Sequence, residues 1–596
     1  MKPRNACTMG VGLFVVLGVA LGAAQALAQA PGVTPGEALR QLFADERAFV
    51  YREDPLTASD EGVHTYDDRL PSVTPAEQLK QLQADKLFLE RLHAIDRSAL
   101  TPQEAVSDEL FDFMVSQRIA LAAYREWRAP LNSDSGFHSE ILYMHEKVAL
   151  RSTADYVRYI ARLKDVPRYF RENVANMRVG MRDGFTLPAE ILEGVSRVLA
   201  GEQFARPEDC PLFEPFTKFP ATVPEADRAR LGDAGRAALQ DSVLAAYATF
   251  RNFFEKEYRP AARRTIAASA LPEGRAYYAD LVRYFTTLPD ATPEKIHATG
   301  LAEVARIHKD MEAIVREVGF KGTFKEFLNF LRTDPQFYAK TADELLRDAA
   351  WIAKEIDGRL PAYFGRLPRK PYGVRAVPAE IAPNYTGGRY NPGAIGAAGE
   401  FWVNTYALNT RPLYNLPALT LHEAVPGHHL QGALALELTD VPQFRLSLYP
   451  HAFGEGWGLY CEWLGQEMGI YHTPYERFGR LTYEMWRACR LVVDTGMHSM
   501  GWTRQQAVDY LAANTALSTH EIDTEVDRYI SWPGQALAYK TGEMKIRELR
   551  RRAEAELGGR FDLRAFHDAV LENGGVTLPV LEHRIDAYIA KARAAK

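Results

Sequence analysis

Apolar residues spaced three and four apart recur along most of this chain, and that period leaves the helix as the regular structure able to bury them on one side. The stretch from Thr292 shows the rule. Pro293 stands at a first helical position, Val304, Ile307, Met311, Ile314 and Val318 follow at helical spacing, and Gly319 ends the run. Thr323 with Glu326, and Thr341 with Glu344, read as capping boxes that open two more helices. Short Pro- or Gly-containing breaks separate such segments. No repeat of fixed period, low-complexity tract or heptad run joins them, so a solenoid is not expected.

One region departs from the helical pattern. From about Tyr372 to Tyr406 the chain is rich in Gly, Pro and Asn and holds two strand-like runs, Val374 to Val377 and Glu400 to Tyr406. A small sheet is expected there, with an edge that could pair with an extended peptide. The character of the chain also changes near residue 290. Residues 29–290 read as an amino-terminal helical lobe, and 291–596 as a second helical lobe that carries the sheet and a His/Glu cluster. The expected architecture is mainly α, two helical lobes around a deep cleft with a small β-sheet beside the site, forming one structural unit.

The first residues describe an export route. Lys2 and Arg4 precede an apolar run from Met9 to Ala20, and Ala26-Leu27-Ala28 has the small-residue pattern of a signal-peptidase site, so residues 1–28 are expected to be a cleaved signal peptide. Cys7 lies before the apolar run, which does not suit a lipid anchor. Elsewhere no stretch reaches about 18 uninterrupted apolar residues, so no membrane span is expected and the protein should be periplasmic or secreted. The net charge of −6 over 596 residues is mild and argues against nucleic acid or an anionic membrane as partner. Beyond Cys7 the cysteines are Cys210, Cys461 and Cys489, too few for a disulfide framework.

The chemistry concentrates in His422-Glu423-Ala-Val-Pro-Gly-His428-His429. A hydrolytic zinc site needs neutral imidazoles and a carboxylate around one ion, plus a separate base, and the usual helical form HExxH puts two histidines four apart on one face. Here Pro426 occupies the position of the second histidine. On an ideal helix His428 would lie about 240° around from His422, and His429 about 20° around but about 10 Å along. Pro426 cannot donate to the His422 carbonyl and Gly427 is conformationally free, so a local widening of the helix is expected, bringing His428 to the ligand position, with His429 as second choice. Histidines of a kinked helix without metal are the plainer alternative. Three His and one Glu in eight residues, after the apolar Leu416 to Leu421, favour zinc.

Glu455 and Glu462 lie seven apart among Phe453, Trp457, Leu459, Tyr460 and Trp463, a setting in which an unpaired carboxylate is costly. Glu455 is expected as third metal ligand and Glu462 as a carboxylate that orients a histidine; His451 is expected to be structural. These segments, with Gly454-Glu455-Gly-Trp, Asp494-Thr-Gly-Met-His498 and Pro533-Gly-Gln-Ala-Leu-Ala-Tyr539, resemble the bacterial domain of unknown function 885 family over nearly the whole mature chain. The family's plan is similar to helical, cleft-containing zinc peptidases of the gluzincin type, such as the angiotensin-converting enzyme and thermostable carboxypeptidase groups. The resemblance implies His422, His428 and Glu455 as ligands of one zinc ion and Glu423 as general base.

Further on, His498, four residues after Asp494, is a candidate oxyanion donor oriented by that carboxylate, as is Tyr539. Arg528 and Tyr529 are candidates for holding a peptide carboxylate, Lys540 is a weaker one, and Arg490 lies in the segment of His498. The expected function is an exported zinc metallopeptidase hydrolysing short peptides through a metal-bound water, with Glu423 as base. A zinc-dependent amidase of a non-peptide envelope metabolite would use the same site. A non-catalytic zinc- or peptide-binding protein would have no need of Glu423 between the ligands. Ser-hydrolase, P-loop and dinucleotide motifs are missing from the sequence.

Overall fold

The computed structural model describes residues 33–594 apart from 134, 380 and 394–396. The expected signal peptide, residues 1–28, lies outside the described residues. The amino-terminal part is helical, and its main helices begin as their caps dictate: α1 (Pro35–Glu53) opens on a Thr34/Glu37 capping box and α2 (Pro102–Ala122) on a Thr101/Glu104 box. The long α3 (Thr153–Asp183) and then α4 (Gly274–Thr286) follow. The Thr292 cap starts α5 (Pro293–Glu317), which buries Val304, Ile307, Met311 and Ile314 along one face. Gly319, two residues beyond its end, takes φ +70°, the left-handed conformation that stops a helix. The Thr323/Glu326 box is complete, whereas α6 (Ala342–Tyr363) has half of one. Thr341 accepts from the Glu344 N–H, but the Glu344 carboxylate takes the Lys340 N–H.

The Gly/Pro-rich region folds into three strands, not two: β1 (Tyr372–Ala376), β2 (Gly388–Asn391) and β3 (Gly399–Val403), in the order β1-β3-β2. The strand expected at 400–406 is therefore the centre of the sheet, parallel to β1 and antiparallel to β2. β2 is too short and too polar to show as a strand in the sequence, and it supplies an edge.

Past the sheet come α7 (Leu416–Glu423), α8 (His428–Leu436), α9 (His451–Leu464), α10 (Pro474–Ser499), α11 (Thr519–Ser531), α12 (Ala538–Leu557) and α13 (Leu578–Ala594). α10 packs along α5, and α9 along α12. Every residue of α10 from Phe478 to His498 is buried. Its charged groups tolerate that because they are paired, Arg480 with Glu484 at 2.7 Å and Arg490 with Glu525 at 2.8 Å.

Two large apolar cores form, one reaching from Leu70 to Ala536 and the other from Leu39 to Ile589, and each draws side chains from both sides of residue 290. Phe43 of α1 and Phe111 of α2, for instance, pack on Phe444 with ring centres 5.0 and 5.4 Å away. The chain is mainly helical with one small sheet. Among the described residues no helix is long and apolar enough to cross a membrane, and Cys210, Cys461 and Cys489 are buried free thiols.

Candidate metal centre and its cavity

The helix expected to widen at Pro426 breaks instead. α7, buried from Leu416 to His422, ends at Glu423, Ala424 leaves helical space with φ −91° and ψ −112°, and α8 restarts at His428. Pro426 has no N–H for the ladder and disfavours the helical conformation at Val425, which accounts for the stop. Gly427 then passes so close to α7 that a Cβ on it would lie 1.9 Å from the His422 carbonyl oxygen. Trp457 of α9 holds the turn through an Nε1–H bond to the Pro426 carbonyl at 2.8 Å. This fold-back sets the His428 ring 4.7 Å from that of His422, nearly perpendicular to it.

His429 points the other way. Its Nε2 lies 3.1 Å from the Lys370 carbonyl, so it must carry the proton there, and its Nδ1 lies 3.3 Å from the Tyr390 hydroxyl. Burial pushes its pKa down to about 4, keeping it neutral as a support beneath the sheet.

Glu455 completes the cluster from α9. Its Oε2 lies 3.6 Å from His422 Nε2 and 3.4 Å from His428 Nε2, while Oε1 is held by the Tyr449 hydroxyl at 3.3 Å. Tetrahedral zinc with bonds of about 2.0–2.1 Å would space its ligand atoms about 3.3 Å apart, so these three side chains fit the ion with little movement. Glu423 is a competing third donor, since ligand atoms of His422, Glu423 and His428 also lie within 4.8 Å of one another. Its Oε2, however, already accepts the Tyr390 backbone N–H of β2 at 2.8 Å. That bond ties Glu423 to the edge of the sheet beside His422 and His428, while Glu455 Oε2 faces both of those rings.

Glu462, one helical heptad on, is 1% exposed and bonds His422 Nδ1 at 2.8 Å. This fixes the imidazole so that Nε2 faces the cluster. Between the two carboxylates Gly458 lets α9 approach, because a Cβ there would stand 2.7 Å from the His422 ring. Burial alone would lower the His422 pKa, but the hydrogen bonds its ring donates to Glu455 and Glu462 raise it to about 9. Burial likewise pushes Glu455 up, and the two histidines outweigh it and hold the carboxyl well below its usual range. Carboxylates thus flank the His422 ring on both of its nitrogens, a setting that a divalent cation on Nε2 would suit.

The cluster opens into a cavity of about 420 Å³, walled by β2, the ends of α7 and α8, and faces of α9, α10, α11 and α12. Tyr539 lines it with its ring 6.4 Å from that of His422, and Arg528 lines it too. His451, expected to be structural, is part of this wall. It also lines, with Trp532, an adjoining cavity of about 590 Å³ toward the amino-terminal helices.

Four other residues singled out from the sequence lie in the buried interior. His498 is fully buried: its Nδ1 accepts the Ala268 N–H at 3.0 Å and its Nε2 lies 2.9 Å from the Tyr529 carbonyl, so neither nitrogen is free for an oxyanion. Asp494 does not orient it, binding instead the Tyr278 hydroxyl at 2.6 Å and the Gly534 N–H. Tyr529 is also buried, and its hydroxyl accepts from Trp486 Nε1 and Arg490 Nε, both at 2.8 Å; it positions these groups and does not line the cavity. Lys540 is buried against Glu303, Glu484 and Glu543. Sequence reading missed Tyr390, which acts through its backbone N–H, and Tyr449, which carries no local signal. It also missed Arg389 and Arg487 of the cavity wall.

Two solved structures resemble the fold throughout. One, described as "the putative lipoprotein from Colwellia psychrerythraea", is 27% identical with a TM-score of 0.87, covering 94% of this chain and 100% of that one. The other, described as "a putative lipoprotein of unknown function from Shewanella oneidensis", is 17% identical with a TM-score of 0.70, covering 93% and 99%. Comparison with curated proteins gave no match. The family model described as "Bacterial protein of unknown function (DUF885)" matches residues 55–585, nearly the whole chain, and the chain belongs to that family.

Proposed function

We propose that this protein is an exported zinc metallopeptidase acting on short peptides. The observation that carries the reading is the pairing of a three-donor set at zinc spacing, His422, His428 and Glu455, with a fourth carboxylate, Glu423, held out of that set by the Tyr390 N–H. Zinc bound there would supply Lewis acidity, polarising a carbonyl and acidifying water. Glu423 takes the proton of the attacking water and delivers it to the leaving amine nitrogen. Tyr539, on the cavity wall beside His422, donates to the oxyanion as the carbonyl becomes tetrahedral. Glu462 keeps the His422 ring in register.

In this reading the cavity belongs to a cleft between helical lobes, as in gluzincins, which admits short or unfolded chains. The neighbours' description as lipoproteins agrees with export, and a leader whose only cysteine precedes its apolar run favours a soluble periplasmic or secreted form. A mixed short-peptide library digested by the zinc-loaded protein should give defined products. These should disappear with a chelator, return with zinc, and be absent for Glu423→Gln at full zinc content. Products that persist in the chelator would remove the metal from the reaction.

A further inference from the structure

Four guanidinium groups converge on the cavity that holds the metal cluster: Arg389 of β2, Arg487 and Arg490 of α10, and Arg528 of α11. Among the described residues, the carboxylates outside the Glu423/Glu455 pair that line the same cavity are Glu521 and Glu525. Glu525 binds both Arg490, at 2.8 Å, and Arg528, at 3.1 Å. Among the described residues four guanidinium groups thus face these two carboxylates, with Glu462 behind the wall 3.5 Å from Arg487.

Guanidinium groups of this wall also stack on aromatic rings. The Arg490 guanidinium lies between the rings of Trp486 and Tyr539, 4.2 and 4.4 Å from their centres. It is fixed by Tyr529 and Glu525, and its Nη1 has no hydrogen-bond partner although the residue is 2% exposed. An unpaired charged donor that deep is costly unless a ligand satisfies it. Arg389 is exposed and stacks over Tyr385.

The distance to the metal cluster limits what fits between. Arg490 stands 4.4 Å from the Tyr539 ring centre and that ring 6.4 Å from His422, so guanidinium and imidazole are within about 11 Å, the sum of those spacings. An extended residue spans about 3.3–3.6 Å, and the contacts at the two ends take about 4 Å each, so one residue fits between the scissile carbonyl and Arg490.

We infer that this arginine wall binds the free α-carboxylate of the substrate, making the protein a carboxy-terminal cutter that releases one residue at a time. The inference rests on the peptidase reading for the cleavage, but not for the carboxylate site. Planar forked donors match a carboxylate bidentately, and a carboxamide offers one acceptor fewer and no charge.

The test uses the zinc-loaded protein and a randomised tetrapeptide library made as free acid, as carboxamide, and as carboxamide with glutamate in the last position. The free acids should be cut at the last bond, on the order of 10- to 100-fold faster than the amides, the difference expected for one or two charge-assisted hydrogen bonds. Arg528→Gln and the exposed Arg389→Gln should each narrow that ratio at unchanged zinc content. Equal turnover of acid and amide, or release from the amino end, overturns the inference. Rescue by the glutamate amides alone also overturns it, since the wall would then read an acidic side chain. Zinc-loaded Glu423→Gln is titrated in parallel with tetra-alanine acid and amide. If no library is cut but the acid binds at least 10-fold tighter, the peptidase reading falls and the carboxylate site stands; equal binding sinks the site as well.

Discussion

Replacing His428 and His429 in turn separates the metal centre from the scaffold beneath it. His428 Nε2 sits 3.4 Å from Glu455 Oε2, at the spacing of two ligands of one tetrahedral zinc, whereas His429 is bonded to Lys370 and Tyr390 on the far side. Four-ligand structural zinc sites bind with about 10–16 kcal/mol, or about 3 kcal/mol per protein ligand. At 1.4 kcal/mol per decade, His428→Ala should weaken zinc by about 100-fold. His429→Ala removes a buried ring and two hydrogen bonds, a loss of about 2–4 kcal/mol of stability, yet touches no ligand. Its zinc affinity should stay within about threefold of the parent. Competition with a chromophoric chelator gives the affinities, and urea unfolding the stabilities. Zinc lost from the His429 variant and retained by the His428 variant would exchange the two assignments; zinc retained by both would dissolve the centre.

Glu462→Ala should lower zinc affinity about 10- to 100-fold through the freed His422 ring, read by the same competition; an unchanged value would make the carboxylate merely a packing group. Tyr539→Phe should reduce kcat about 10²- to 10³-fold at full zinc occupancy if its hydroxyl meets the oxyanion, and normal kcat would assign that role elsewhere. His498 supplies a pH test. Burial holds its pKa at about 4, below the about 6.5 of the unfolded chain. As pH falls the unfolded state binds the proton first, so stability present above about pH 6.5 drains away down to about pH 4, by about 3 kcal/mol for this residue. His498→Asn should flatten that part of the urea-stability profile while the zinc-loaded protein keeps its activity. A selective loss of turnover with an unchanged profile would restore His498 to the reaction.

Local pattern determined much of this protein. Helical spacing and caps placed α5 and the neighbouring helices, because those signals lie within a few residues of each other. His422, His428, Glu455 and Glu462 were legible as a set because the residue types are expensive to bury singly. What sequence could not specify was direction. A Pro-Gly pair can widen a helix or break it. The break was decided by the approach of Gly427 to the His422 carbonyl and by the Trp457 bond to Pro426, contacts made by folding. The same limit misplaced His498 and Tyr529: an Asp four residues from a His suggests a pair on one face. In the fold α10 is buried on all sides, and Ala268 and the Tyr529 carbonyl claim that ring first. Tyr390 holds Glu423 by a backbone N–H that any residue but proline could offer. Four arginines meet on one wall only because β2, α10 and α11 are brought together. Residue identity set the chemistry available, and long-range packing chose which atoms face the cavity.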